Sequence, residues 1–413
     1  METYPETLKT RLNDEAFEFR RDSFLAFLKT PVRSFKESPT VSEYVEVTDK
    51  DLERMLYGEF SQSPRNPQFI KEANIKVLNG KLESVENLPE GVEVMDLVEA
   101  ARDSGIRSRF LDNTHLGDDR TEFLINSAWQ RGLFVKVGKN VKADITVHNL
   151  SNGTDSYAYK TVVSCGEESK LNYTEVNESA SEGDAVQGKN IYFFQDEYSK
   201  VQFNYVQDKS LSVTDLSFVK SFQSRYTEFQ IFHINHGGSR VIFGNESQQI
   251  GDSSDYRVYG VSFSDAKQKI DIRDSSFQVG KSSTADIHVR GVVKGTSSTI
   301  HRGNIDLEFE AVNATGFYDS KILLLSKEGY ANSKPGLMIK NSNTKSKHGS
   351  AISNVNEDEI VYLRSRGIDE NTARSMITEG FVSYVIEKSN SEFMNNRIKK
   401  YTEGTVLGTM GKD

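Results

Sequence analysis

The residues with the types and spacings of chemistry fall in a few short stretches. Gly280-Lys281-Ser282 repeats the last three letters of a phosphate-binding loop, but that loop needs a glycine five residues before Gly280, and Ser275 stands there. A strand pattern with no following helix surrounds it, so the fragment reads as a corner between strands and not as an anion site. His233 and His236, in FQIFHINHGG, have a spacing that joins two ligands on a helix. On a strand the same odd separation sends them to opposite faces, so one His is expected inside and hydrogen-bonded and the other solvated. Cys165 shares a strand face with Val163 and lacks basic neighbours before Lys170. It is expected to be a buried small hydrophobe and no nucleophile. The seven histidines form no recognisable Ser/His/Asp or Cys/His signature.

Composition narrows the classes further. One cysteine in 413 residues forbids an internal disulfide and a cysteine-rich metal site built by this chain alone. The start, METYPETLKTRLNDE, is charged and lacks the apolar core of a secretory signal; both facts favour the cytosol. With 51 basic against 60 acidic residues, nothing recommends nucleic acid or an anionic membrane as the main partner. No apolar run approaches the roughly 18 residues of a membrane span.

The elements that position these residues are marked by proline. Six of the seven prolines fall in the first 89 residues and the last is Pro335, leaving 90 to 334 without any. Proline has no N–H to give to a sheet ladder, so this gap suggests strands paired on both sides. From about residue 130 short runs of Val, Ile, Phe, Tyr and Thr alternate with Gly, Asn, Asp and Ser. Centred on Ile145, Leu171, Val201, Phe229, Val241, Tyr256, Ile270, Ile287 and Ile300, with IYFF at 191 to 194 and LSF at 216 to 218 between, they place a strand about every 14 residues. An antiparallel sandwich or barrel fits that spacing, and so does a parallel solenoid with two strands per coil of roughly 28 residues. The proline gap and the scarcity of Asn-Gly hairpin signals favour the solenoid.

Helices flank this body. Residues 5 to 30 read as one, with Phe17, Phe24, Leu25 and Leu28 on a face and Pro31 at the end. Asp49 to Tyr57 reads as a second, stopped by Gly58, and SPRNP at 63 to 67 as a loop. After Pro335, Asn356 with Glu359 resembles a capping box for a helix closed by Gly367. Asp369 opens the next, expected to end at Gly380, and Phe381, Tyr384 and Val385 begin a third. The tail from about Gly404 is expected to be disordered.

Three strings carry more information than composition. NSAWQRGLFVKVGKNV at 126 to 141, LLLSKEGYANSKPGLMIKNSNTKSKHG at 323 to 349 and IVYLRSRGIDENTARSMITEGFV at 360 to 382 resemble the SufB/SufD family of the SUF iron–sulfur assembly system. The likeness spans most of the chain in the family's order. It implies a mainly β fold, a right-handed parallel β-helix at 96–350 between an N-terminal helical region, 1–95, and a C-terminal one, 351–413, that docks an ATPase. His348-Gly349 looks like SufD, since SufB-type sequences resemble one another in having His followed by Glu there. SufD sequences often carry a cysteine two residues before this His, and Ser346 stands here instead, which puts any thiolate near His348 in doubt.

The resemblance implies a cytoplasmic, non-enzymatic SufBCD scaffold in which SufC, an ABC-type ATPase, binds the C-terminal helices and its ATP-driven motion is passed to a cluster site shared with SufB. A cluster would form transiently at the SufB–SufD interface, with none held stably by this chain alone. By that analogy His348 is a candidate interface ligand, and a neutral imidazole does bind iron; the residue's other reading is a surface histidine ending the last coil. Arg364, Arg366, Gly367 and Phe381 fall in the segment that would dock SufC, although Gly367 also suits a helix stop and Phe381 a core. A SufB-like chain that holds a cluster itself is the alternative within the family, weakened by the shortage of thiols. Outside it stands a β-helix carbohydrate-active enzyme or adhesin, which usually needs export and is weakened by the lack of a signal-peptide pattern. Exposed strand edges at the end of such a helix would pair with an identical end, giving a homodimer of the isolated chain.

Overall fold

The computed structural model describes residues 16–30, 45–58, 60, 67–111, 119–389 and 391–407. From Arg131 to Asn354 short turns join strands mostly of nine or ten residues, each paired in parallel with the strand two places on. Strand Thr214–Gln223, for example, lies between Val186–Gln195 and Arg240–Gln249. The strands therefore sort into a ten-stranded and a nine-stranded sheet facing each other, the parallel solenoid that the proline gap favours. Aligned residues lie between 26 (Thr214 and Arg240) and 32 (Ser298 and Tyr330) apart, so one coil takes close to the expected length.

Alternation along each strand explains the layers. In Arg131–Val137, Leu133, Val135 and Val137 point into the solenoid, while Phe134 points out to the helices. Equivalent inward positions stack from coil to coil: Ile145, Tyr173, Phe203, Ile231, Val258, Ile287 and Tyr318 are successive partners in register, all fully buried. Burying a side chain of this size contributes about 1.5–3 kcal/mol. Cys165 is also fully buried in this interior, beside Val163 as expected, and burial pushes its thiol far up.

Polar side chains seal the corners. Gln195, Gln223, Gln249 and Gln278 occupy the last position of four successive strands of the nine-stranded sheet, in register with one another. Each donates from its amide to a carbonyl at the start of a strand in the facing sheet, Gln249 to Thr284 O at 2.9 Å and Gln223 to Asp255 O at 2.9 Å among them. The turns that follow place Tyr198, Tyr226, Ser253 and Ser282 at φ of 54–60°, a left-handed conformation that non-glycine residues seldom adopt. Their N–H groups donate to the next coil, Ser282 to Val312 O at 2.8 Å. Gly280-Lys281-Ser282 is thus a corner, as the missing glycine implied.

Helices cover both outer faces. Phe17–Lys29, Asp49–Tyr57 and Arg120–Ala128 lie on the nine-stranded sheet through Phe24, Met55 and Ile125. Asp49–Tyr57 is opened by a reciprocal Thr48–Asp51 capping box and ends at Gly58. In the first helix the buried side differs from the expected one: Phe24 and Phe27 are buried but Leu25 and Leu28 are exposed. The helix is turned so that Arg20 lies fully buried 3.6 Å above the Trp129 ring. Residues 5–15, Pro31 and the loop positions 63–66 are outside the described residues. The stretch before 96, expected to be helical, also carries three strands, Ile75–Leu78, Lys81–Val85 and Val92–Asp96, which add to the sheets.

At the other end Glu357–Ser365, Glu370–Lys388 and Glu392–Leu407 pack on the ten-stranded sheet through Val382, Val385, Met394 and Ile398. Asn356 and Asp369 cap the first two, and Gly367 at φ 86° makes the turn between them. The second helix runs straight through Gly380. A glycine inside a helix costs about 1 kcal/mol, which the burial of Val382 and Val385 two and five residues on offsets. The segment expected to be a disordered tail is helical through Leu407; Thr405 and Val406 accept from Lys294 Nζ at 2.8 and 3.0 Å.

Candidate functional site

The two ends of the solenoid differ. At the start the outermost strands are Lys81–Val85 and Val92–Asp96, five residues each, antiparallel to their neighbours and carrying Lys81, Glu83 and Glu93. Short charged edges are poor templates for further pairing. At the finish the outermost strands are Tyr330–Ile339 and Lys345–Asn354, ten residues each and paired on one side only, with Ser298–Leu307 and Thr315–Leu324. Pro335 lies in the first of these, where a missing N–H is tolerated because one edge of the strand has no partner. The proline gap therefore ends where the sheet ends.

Most residues of this last coil are exposed or half-exposed, unlike those of every coil before it. Tyr330, Met338, Ile339 and Ile352 are exposed on the two strands, and Phe309, 67% exposed, projects from the corner before them. Isolated exposed apolar residues are ordinary, but five on one open end of a solenoid form a surface suited to a partner.

His348 sits within this surface. It is the register partner of Tyr318 and so continues the buried stack that begins at Ile145, but among the described residues no strand pairs beyond it and it is exposed. It forms no hydrogen bond or ion pair within the described residues. Ser346 is two residues before it, on the same face of the strand, and Lys347 Nζ lies 4.5 Å from the Phe317 ring. Among the described residues no group of three or more His, Cys, Asp or Glu is arranged to hold a metal ion. Among the described residues His348 is the one imidazole on the last coil, and the thiol of Cys165 is sealed in the core.

Of the other histidines, His233 lies inside, its Nδ1 3.1 Å from Asn235 Nδ2 and its Nε2 3.3 Å from Asp274. His236 is not solvated as expected. Its ring stacks 4.0 Å from that of Tyr401, and its Nδ1 is 2.8 Å from Asp208. The helix Glu392–Leu407 covers it, which strand alternation alone does not foretell. Tyr401 donates to Asp208 Oδ2 at 2.7 Å, and Arg397 reaches both Asp208 and Glu178, the latter at 2.8 Å. Glu178 in turn meets His148 Nε2 at 3.0 Å. Burial opposes ionisation of Asp208 and Glu178, but their hydrogen bonds with His236 and His148 and the charge of Arg397 hold both below the usual carboxylate range. His301, hydrogen-bonded to Ser262 and Ser320 in the core, is pushed down to about 3 by burial and stays neutral.

The residues assigned to docking separate into two groups. Arg364, Arg366 and Gly367 lie together at the turn between the helices, Arg366 reaching the Tyr362 hydroxyl at 3.3 Å. Phe381 is half-buried and packs towards the sheet with Leu325, Val382 and Ile377 nearby. Val361 at 63%, Tyr362 at 58% and Met376 at 48% exposure supply apolar surface beside the arginines. Met376 is expected on one helix face with Ala373 and Ile377, whereas nothing in the sequence marks Val361 and Tyr362, three and two residues before Arg364, as exposed.

Residues 147–381 match the family described as "SUF system FeS cluster assembly, SufBD core domain". An iron–sulfur cluster assembly SufBD family protein of Synechocystis sp. is 25% identical over 307 residues, 68% of this chain and 62% of that protein. Relatives of the same description in Staphylococcus epidermidis and Staphylococcus haemolyticus are each 23% identical over 361 residues, 82% of this chain and 77% of theirs. The chain thus spans less than two thirds of the Synechocystis relative.

Proposed function

Because this chain belongs to the SufBD family of the SUF iron–sulfur cluster assembly system, its core-domain match covering more than half of its length, we propose that it acts as a SufD-like, non-enzymatic scaffold subunit in the cytoplasm. The observation that carries this reading is the open last coil, where His348 crowns a buried stack and no thiol is within reach. With one imidazole on the last coil among the described residues and the thiol of Cys165 buried, this reading makes the cluster cargo shared with the chain that covers this end, by resemblance SufB. In that arrangement His348 supplies one neutral nitrogen to iron, or takes up a proton there. The apolar side chains Phe309, Met338, Ile339 and Ile352 exclude water around it and hold the two ends together. Burial of Cys165 weighs against the SufB-like alternative.

The helix pair Glu357–Ser365 and Glu370–Lys388 would dock the SufC ATPase. Val361, Tyr362 and Met376 offer the apolar contact and Arg364 and Arg366 its charged border, a combination common at binding surfaces. Gly367 shapes the turn, and Phe381 steadies the pair from beneath. Anaerobic isolation of the complex with its native partners, followed by iron and acid-labile sulfide analysis, tests the proposal. Recovery of this chain with an ATPase and a second SufBD chain is expected. Recovery without any ATPase, or a stable visible chromophore on the isolated chain after reconstitution, would refute it.

A further inference from the structure

Inside the solenoid, two residues along each strand from the apolar stack that ends at Tyr318, a second row of inward side chains is polar. Glu175, Tyr205 and His233 are successive register partners, and Ser320 and Ser350 continue the row after Gly260 and Val289. From the facing sheet Lys189, Asp215, Asn245, Asp274 and His301 point into the same seam, all of them buried. Much of it is bonded to itself. Lys189 meets Glu175 and, at 3.1 Å, Asn177. Lys209 meets Asp215, to which Ser217 also donates at 2.8 Å. The His301 ring lies between Ser262 at 3.1 Å and Ser320 at 3.0 Å.

The middle of the seam is different. Asp274 is fully buried, and its Oδ1 accepts from Asn245 Nδ2 at 3.1 Å. Its Oδ2 and the His233 Nε2, 3.3 Å apart, make no hydrogen bond with each other or with any other protein group. Asn235 Oδ1, Asn245 Oδ1 and the hydroxyls of Tyr256 and Tyr318 are likewise buried without a protein partner. Burial first, and the charge of Asp274 second, push both hydroxyls far up, so each keeps a hydrogen to donate. Asn245 beside Tyr256 and Ser320 beside Tyr318 oppose that shift without completing a hydrogen bond. Buried polar groups in native proteins are almost always paired, with protein or with ordered water. A run of six unpaired atoms around one carboxylate therefore calls for an occupant.

We infer that water molecules bind among Asp274, His233, Asn235, Asn245 and the two tyrosine hydroxyls, and make the seam a path for proton exchange between the core histidines and solvent. The chemistry matches, because a buried water needs two to four polar partners and this group offers both donors and acceptors. A metal ion fits less well, since Asp274 and His233 are the only strong ligands among these residues. The seam has two mouths. At one, Lys209 lines a cleft of about 490 Å³ between the helix Glu392–Leu407 and the turns beneath it; at the other, Ser350 stands on the open last coil. Where a partner covers His348, as proposed above, the seam supplies protons to that coil from within; the water site itself does not depend on that role.

The test uses the full chain alone, labelled with ¹⁵N-histidine, and follows the ring N–H signals of His233 and His301, each assigned by single substitution, after transfer to D₂O. Both rings are buried, yet their signals are expected to vanish within minutes at a rate insensitive to low urea. Persistence for hours, with loss governed by global unfolding, overturns the path. Tyr256→Phe and Tyr318→Phe examine the water site, since each keeps the ring and removes the hydroxyl. If water bonds the hydroxyls, each substitution lowers the urea midpoint. In a dry interior the loss of an unpaired polar group leaves the midpoint unchanged or raises it, and that result in both variants overturns the inference.

Discussion

His348 stands in register with Tyr318, the seventh and last buried member of a stack that begins at Ile145. One position further along the solenoid axis converts a sealed aromatic core residue into an exposed imidazole. Replacing His348 with Ala removes no contact on which the fold depends, so assembly with partners and thermal stability are expected to remain unchanged while cluster yield per complex falls severalfold. Iron and sulfide analysis of the purified complex measures this, and an undiminished yield removes His348 from the mechanism.

Met338→Glu tests the surface around it. Burying an unpaired charge at an interface costs about 3 kcal/mol, roughly two decades in Kd. The isolated chain is expected to be a dimer at micromolar concentration by light scattering and the variant a monomer with an unaltered circular dichroism spectrum. A monomer in both cases would count against pairing through this end.

Gln249→Ala examines the corner ladder. Its amide donates to Thr284 O at 2.9 Å and Ser254 O at 3.0 Å, and its oxygen accepts from Ser276 at 2.9 Å. Leaving buried carbonyls and a hydroxyl without partners costs about 1–3 kcal/mol each, so a loss of about 3 kcal/mol is expected in urea unfolding. A loss within error would mean that water replaces the amide.

Acid should release the helix Glu392–Leu407 before it melts the sheets. Asp208 and Glu178 are held below their ordinary values, so the stability they contribute is complete above the unfolded carboxylate range near 4 and is lost as pH falls through the lowered folded values. Arg397→Met removes the charge common to both carboxylates and should move the start of that loss to higher pH, followed as helical circular dichroism. An unshifted acid transition would show that Arg397 does not anchor the helix.

Much of the solenoid could be read from residues alone, because proline and strand spacing report local hydrogen bonding directly. Ile145 to Ile300 all lie on strands, and Pro335 marks the edge where a donor becomes dispensable. What escaped reading depended on contacts distant in sequence. Burial of His236 comes from Tyr401, 165 residues later in the numbering, and exposure of Leu25 comes from the seating of Arg20 on Trp129. Gly380 misled for a similar reason, since glycine ends helices only where packing does not carry them on. At the open end, His348 was found through resemblance, whereas Phe309, Met338 and Ile352 became recognisable as a surface only once the last coil was seen to lack a neighbour.

The contrast between the solenoid's two ends also limits stoichiometry. An object with adhesive edges at both ends would grow into a fibre of indefinite length, each addition presenting a fresh edge. Among the described residues the blunt five-residue strands Lys81–Val85 and Val92–Asp96 form one end, so an association through the long edges of the other would stop at two chains. Two short charged strands at the start of the sheets thereby guard a stack of parallel strands against polymerisation.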